Sequence, residues 1–288
     1  MADKKVWLVY DSKDLAVNRD FAQMMWEKGK QRGMRIEPVT LDELTLGFDA
    51  NGLPQCRLNG KGQKPDAVLS RMRSYLYSKH FEAMNVPVFN GASVCEICND
   101  KRRTFQFLSG LPMPETVFLS AASTPPDAYP VIVKPACSHG GDRVALVYNV
   151  DQWREATAAI TPEPAVQQRV VGKAGRDLRV YVVFGKIVAA VLRTAKEGVV
   201  SNYKLGGNVA LHTLKSEEEQ LVTETIRRFD SIGSPLCFAG VDLLYESYGP
   251  VIGEVEDVVG SRMLYQTSDI DIVSLFLDGL SDIAANAP

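Results

Sequence analysis

The stretch LCFAGVDLLYESYGPVIGEVEDVVGSRML, residues 236–264, decides how the chain is read. Two apolar runs flank the turn-forming cluster Ser247-Tyr248-Gly249-Pro250, which predicts two antiparallel strands joined by a short loop. A loop centred on Tyr248 puts Asp242 directly opposite Glu254. Opposed residues share a face, with Cβ atoms about 4.5–5.5 Å apart. Glu256 lies on that face too, because side chains alternate along a strand. One face then carries three carboxylates inside apolar strands. Like charges placed this way destabilise a sheet, so a positive partner is expected between them. An all-oxygen set of this kind suits Mg²⁺ held jointly with substrate phosphates, with Mn²⁺ as the substitute. An exposed hairpin with a solvated acidic face is the plainer alternative.

The 288 residues are 45% hydrophobic, enough for one large domain or two to three small ones. A net charge of −3 gives no footprint for nucleic acid or an anionic membrane surface. No apolar run approaches the ~20 residues that span a bilayer, and Val6–Tyr10 is too short for a signal-peptide core. Five cysteines without an export signal predict reduced thiols and a cytoplasmic location. Cys95 and Cys98 form a single C-x-x-C; with His80, His139 and His212 scattered, two buried thiols on a helix is the preferred reading.

Towards the N-terminus, the pattern predicts a buried strand at 4–10, a helix from about Leu15 to Arg32 stopped by Gly33, and a strand over Met34–Val39. Asn51-Gly52 marks a hairpin between Leu46-Gly47-Phe48 and Cys56-Arg57-Leu58. A strand from Pro65 to Arg71, a helix around His80–Met84 and a short strand at Val86–Asn90 complete a parallel α/β domain to about residue 97. Ligands of such sheets bind at the carboxyl ends of the strands, where Arg71 stands.

Further on, Asn99 to Arg103 opens a helix through Leu108. Pro130–Lys134 reads as a buried strand ending on a lysine, Ser138–Asp142 as a small glycine-bearing loop, and Arg143–Val147 as the return strand. A lysine beside a loop with free backbone N–H groups can hold phosphates. The G-K-[ST] order of a Walker A loop is absent. Ala165–Val171 is a strand. Leu178–Phe184 and Lys186–Arg193 form a hairpin across Gly185, with Asp177, Arg179 and Tyr181 on one face. Ser216 is expected to cap a helix over Glu217–Gly233, and Asp269–Ala284 to form an amphipathic closing helix.

These pieces, in this order over residues 66 to 275, resemble the RimK-like carboxylate–amine ligases of the ATP-grasp superfamily. Asn99-Asp100-Lys101 with Pro112–Thr116 resembles the family's entry into its ATP-binding region. Pro130–Lys134 resembles its phosphate-lysine strand, and Gly175–Val180 with Val188–Arg193 its middle block. Ser201-Asn202 with Gly206-Gly207 resembles the loop before the last helix. Gly240-Val241-Asp242 with Glu254-Val255-Glu256 resembles its metal hairpin.

The resemblance implies an α/β and α+β architecture: an N-terminal parallel α/β domain at 1–97, an ATP-grasp lid subdomain at 98–172, and a C-terminal subdomain at 173–288 carrying the metal hairpin. It also implies roles. Lys101 and Lys134 contact phosphates under a lid formed by Ser138, Gly140 and Gly141. Gln168, Arg169, Val170 and Val171 form the hinge that meets adenine, and Asp177 faces the ribose. Asp242, Glu254 and Glu256 hold Mg²⁺. Arg179, Arg193 and Asn202 surround the transferred phosphate, while Arg71, Lys204, Gly206 and Gly207 meet substrate. The activity implied is ATP- and Mg²⁺-dependent amide or peptide bond formation through an acyl phosphate. Its partners are a small carboxylate and an amine, or a peptide or protein terminus, in a chain that forms a homo-oligomer in many relatives.

Three positions depart from the pattern. Glu256 stands where asparagine is usual, Val258-Val259 replace a common proline, and Leu205 replaces a basic residue beside Lys204. A non-catalytic ATP-binding regulatory protein on the same fold is therefore the alternative function.

Overall fold

Continuous apolar runs suit strands covered on both faces, and the N-terminal run Lys4–Tyr10 is such a strand, buried from Val6 onward. The computed structural model describes residues 4–171, 175–195 and 207–285. Lys4–Tyr10 pairs in parallel with Met34–Thr40 on one side and Ala67–Ser70 on the other. Val88–Phe89 adds a fourth parallel strand beyond Ala67–Ser70. The parallel α/β arrangement read from the sequence is therefore present.

The single helix expected over residues 15–32 is two helices, Ser12–Val17 and Arg19–Lys30. Asn18 breaks them: its side-chain Nδ2 donates to the Asp14 carbonyl at 2.8 Å, competing with the helical ladder. Gly33, at φ +68°, ends the second helix in a conformation that favours glycine. Asn51-Gly52 lies inside a longer turn between strands Leu44–Phe48 and Pro54–Leu58, organised by Asp49, whose Oδ1 accepts from the Asn51 and Leu53 amides. The helix expected near His80 starts earlier and spans Tyr75–Ala83. Cys95 and Cys98 are buried free thiols on the helix Ala92–Cys98.

A second, antiparallel sheet has the order Ala145–Val147, Val131–Pro135, Ala165–Arg169, Thr116–Leu119. The helix Val150–Ile160 packs on it through Trp153, whose Nε1 donates to Gln167 Oε1 at 2.6 Å. The return strand is shorter than expected. Arg143, at φ +49°, stays outside it and pairs with Glu163 at 2.7 and 2.8 Å.

The third sheet is antiparallel, in the order Asn208–Leu211, Lys186–Thr194, Arg176–Val183, Phe238–Glu246, Gly249–Glu256. Leu178, Val180, Val241 and Leu243 line one face beneath the helix Ser216–Ser231. Ser216 is that helix's first residue. The capping contact is made instead by Glu218, whose carboxylate accepts from the Lys215 amide at 2.8 Å. On the other face, Tyr181, Val183 and Phe238 join Leu8, Met25 and Ile36 of the N-terminal sheet region and Phe276 of the closing helix Ile272–Ala285 in one core. Each fully buried side chain of this size stabilises by about 1.5–3 kcal/mol. The charged residues of this face are gathered at its other end, beyond the core. None of the described helices is long and apolar enough to cross a membrane.

Candidate functional site

The hairpin of residues 238–256 turns through Ser247-Tyr248 alone, with Glu246 opposite Gly249 and Leu243 opposite Ile252. Continued unbroken, that register would set Glu254 opposite Val241 and turn it under the helix Ser216–Ser231. A β-bulge at Gly253 shifts it by one residue, so that Asp242 faces Glu254 and Gly240 faces Glu256. A one-residue slip moves every following side chain to the other face. The opposition of Asp242 and Glu254 expected from the sequence is present, produced by a shorter turn and a bulge. An added Cβ at Gly253 would lie 2.9 Å from Leu244 Cγ and 3.3 Å from the Asp242 carbonyl oxygen, so glycine suits the bulge.

Asp242, Glu254 and Glu256 each present a carboxylate oxygen within 4.8 Å of the others. The donor set is all oxygen and matches a hard divalent cation such as Mg²⁺. Positive partners also come from neighbouring strands. Arg179 lies directly across from Asp242 and grips it bidentately, Nε to Oδ1 at 2.8 Å and Nη2 to Oδ2 at 2.6 Å. The same Nη2 lies 2.7 Å from Glu256 Oε1. Arg193, across from Asp177, reaches Asp177 Oδ1 through Nε at 2.7 Å and Asp242 Oδ2 through Nη2 at 2.6 Å. Asp177, Arg179, Arg193 and Asp242 are all buried. Burial raises the Asp242 carboxyl, but the two guanidiniums outweigh it and hold the group down at about 2. Burial lifts Glu256 above its ordinary value against the pull of Arg179, helped by the neighbouring carboxylates.

The second sheet and the helix Lys101–Phe107 each supply a lysine. Buried Lys101, the first residue of the helix Lys101–Phe107, sends Nζ to Glu254 Oε1 at 3.1 Å and to the Ser138 carbonyl at 2.5 Å. Its amide donates to the Ala136 carbonyl at 3.0 Å, which ties the helix to the loop beyond Lys134. Burial lowers the Lys134 amine to about 8, against an opposing pull from Glu254 and with a further push from Lys101. Gly140 and Gly141, at φ +66° and +80°, shape the following turn.

Other expected residues lie around this cluster. Gln168 is buried and its Nε2 donates to Thr116 Oγ1 at 3.0 Å, within the lysine-bearing sheet. Arg169 bridges to Glu246 of the third sheet at 3.0 Å. Val170 and the buried Val171 follow the strand Ala165–Arg169. Gly207 sits where an added Cβ would meet the Thr194 carbonyl oxygen at 2.8 Å. Asn202, Lys204 and Gly206, with Ser201 and Leu205, lie outside the described residues. Arg71 is buried behind the cluster, with Nη2 donating to the Val259 carbonyl at 2.8 Å and its guanidinium over the rings of Phe21 and Phe238.

Lys134 of one sheet and Lys101 of the helix tied to its loop thus face an acidic, arginine-studded face of another sheet. The profile of the RimK-like ATP-grasp domain matches residues 123–280, more than half of the chain. This chain belongs to the RimK-like ATP-grasp family. A probable alpha-L-glutamate ligase of Shewanella pealeana is 27% identical over 96% of this chain, which spans only 62% of that relative's length. Among solved structures, the D-cycloserine synthetase DcsG has a TM-score of 0.72 at 16% identity, covering 96% of this chain and 99% of its own. The D-alanine–D-alanine ligase of Bacillus anthracis complexed with ATP has a TM-score of 0.69 at 16% identity, covering 95% and 94%. These likenesses establish the ATP-grasp fold, with its parallel sheet at the N-terminus.

Sequence reasoning missed Gly253, Asn90 and Tyr181 as parts of the site's scaffold. Asn90 and Tyr181 act through backbone carbonyls distant in sequence, which leave no local pattern.

Proposed function

We propose that this chain is an ADP-forming ligase that joins a carboxylate to an amine, using ATP with Mg²⁺. The observation that carries the reading is the convergence of Lys101 with Glu254 at 3.1 Å, which sets a phosphate-type cation against the carboxylates of the third sheet. Family membership and the ligase names of its relatives support it.

A carboxylate is a poor acyl donor because its leaving group would be oxide. Attack of a carboxylate oxygen on the γ-phosphorus of ATP forms a new O–P bond and releases ADP. The amine nitrogen then attacks the acyl carbon, the C–O bond to phosphate breaks, and the amine loses a proton. Phosphoryl transfer depends mainly on position and on neutralising charge spread over oxygens. Lys101 and Lys134 would hold the phosphates, and Arg179 and Arg193 would face the transferred group. Asp242, Glu254 and Glu256 would hold the Mg²⁺, which when bound neutralises phosphate charge. The loop of Ser138, Gly140 and Gly141 would keep water from the acyl phosphate. Gln168 to Val171 would meet adenine and Asp177 the ribose. Asn202, Lys204, Gly206 and Gly207 would lie towards the substrates, an amino acid or a small peptide, free or as a protein terminus.

The test is ADP formation with Mg²⁺ and ATP across pools of amino acids and small carboxylates, with mass spectrometry of the products. A product one water lighter than the sum of a particular pair is the expected result. ATP binding without ADP formation from any pool or peptide would favour a non-catalytic regulatory protein. Failure to bind ATP would overturn the site.

A further inference from the structure

The segment that follows Glu256 has no regular structure, yet it hangs from side chains of three separate parts of the molecule. Asn90, at the end of the N-terminal sheet, is buried and makes four hydrogen bonds. Its Nδ2 donates to the Asp257 and Phe238 carbonyls, both at 2.9 Å, and its Oδ1 accepts from the Cys237 and Phe238 amides at 2.7 and 3.0 Å. Those bonds use its full capacity of two donors and two acceptor lone pairs. Asn90 thus clamps the start of the Asp242 strand to the end of the Glu256 strand.

Arg71 acts two residues further on, through the Val259 carbonyl. Tyr181 donates to the Gly260 carbonyl at 3.0 Å, and Asn99 Nδ2 to Asp257 Oδ1 at 3.0 Å. Val259 in turn presses on the ligand face. An added Cβ at Gly240, the residue opposite Glu256, would lie 2.7 Å from Val259 Cγ2 and 3.6 Å from Arg179 Nε. The position of Val259 therefore bounds where Arg179 and the Glu256 end of the hairpin can sit.

Arg71 is an expensive way to hold one carbonyl. Its Nε and Nη1 are buried without hydrogen-bond partners, a cost that the rings of Phe21 and Phe238 and the Asp257 carboxyl on the same cavity wall offset only in part. An apolar side chain of similar length would pack between Phe21 and Phe238 with less desolvation cost. What the arginine adds that an apolar side chain between the rings cannot is the hydrogen bond that fixes Val259 behind the ligand face.

We propose that Arg71 and Asn90 are positioning residues of the metal hairpin: through the backbone of residues 257–259 they set the geometry, and hence the cation affinity, of Asp242, Glu254 and Glu256. Arg71 then acts from behind the site, not by touching substrate. The inference rests on the assignment of that trio to a divalent cation, made above. Groups that orient metal ligands from outside typically change affinity by about 10–100-fold when removed.

The test is titration of the purified full chain with Mn²⁺ alone, followed by electron paramagnetic resonance, with thermal unfolding measured in parallel. Arg71→Met, which keeps the packing between the rings, is expected to weaken Mn²⁺ binding by at least about tenfold with little change in Tm, the lost desolvation cost and the lost cation–π contacts opposing each other. Arg71→Lys, which restores a donor, is expected to recover much of the affinity. Asn90→Ser, a second and more disruptive variant, is expected to weaken binding in its folded fraction. Arg71→Met with an unchanged Mn²⁺ Kd would overturn the proposal, as would a fall in Tm alone. Wild-type protein that binds Mn²⁺ neither alone nor with ADP present would instead overturn the cation assignment, so the two failures are distinct.

Discussion

Arg179 and Asp242 face each other across two neighbouring strands and meet through both atoms of a guanidinium–carboxylate fork, at 2.8 and 2.6 Å, with both residues buried. The positive partner that three clustered carboxylates require is thus built into the sheet. Removing one member of a buried pair leaves the other charge uncompensated. Arg179→Ala is expected to lower stability by about 3 kcal/mol, the low end for such pairs because Arg193 remains on Asp242. The double variant Arg179→Met with Asp242→Asn is expected to recover at least half of the loss. Urea unfolding of the wild type, Arg179→Met, Asp242→Asn and the double variant checks this, and strictly additive losses would argue against the pairing.

Lys134 carries a prediction in catalysis and another in pH. Lys134→Ala is expected to lower kcat/KM by about 10²–10³-fold, the scale of losing one preorganised charge-stabilising group, with the fold intact by circular dichroism. Near-normal turnover would remove Lys134 from the phosphate site. Its amine is lowered from 10.5 to about 8, chiefly by burial. Between those values the unfolded chain binds more protons than the folded one, so this group's contribution to stability rises with pH across the window. Lys134→Met should abolish that rise, and wild-type affinity for ATP should fall as pH passes above 8. A flat wild-type affinity profile from pH 7 to 9.5 would contradict this.

Gly253 is the third position. Any side chain there must push against Leu244 and the Asp242 carbonyl. Gly253→Val is expected to cost about 1–3 kcal/mol through overpacking, and to weaken Mn²⁺ binding, because relief of the clash moves Glu254. Calorimetry paired with an Mn²⁺ titration separates the two effects; full affinity in a destabilised variant would show that the bulge does not set the ligand geometry.

Much of this architecture is legible in the sequence where the signal is local. The run Val6–Tyr10 reads as a buried strand because it is apolar throughout, and Lys134 reads as a strand-end lysine because Val131-Ile132-Val133 precede it. Asn18 defeats the helix reading because one side-chain hydrogen bond outweighs a continuing pattern. Tyr75–Ala83 opens on Tyr75-Leu76-Tyr77, an aromatic run that suits a strand as readily as a helix, so its start escapes notice. Arg71 is legible as a strand-end residue, but its direction is not. Its partners Val259, Phe21 and Phe238 come together only when the N-terminal and third sheets share a core.

The hairpin also holds a signal that can be read by counting. With a two-residue turn and no bulge, facing residues are always an odd number of positions apart. Asp242 and Glu254 are an even number apart, yet they face each other across Ser247-Tyr248. An even interval between two carboxylates that must share a face therefore announces either an odd-length turn or an extra residue in one strand. In this chain Gly253, flanked by Ile252 and Glu254, is where that residue fits. It follows that insertions or deletions should be tolerated in the turn itself. A single added residue between Gly249 and Ile252 would carry both glutamates to the apolar side of the sheet and erase the site without altering one of its side chains.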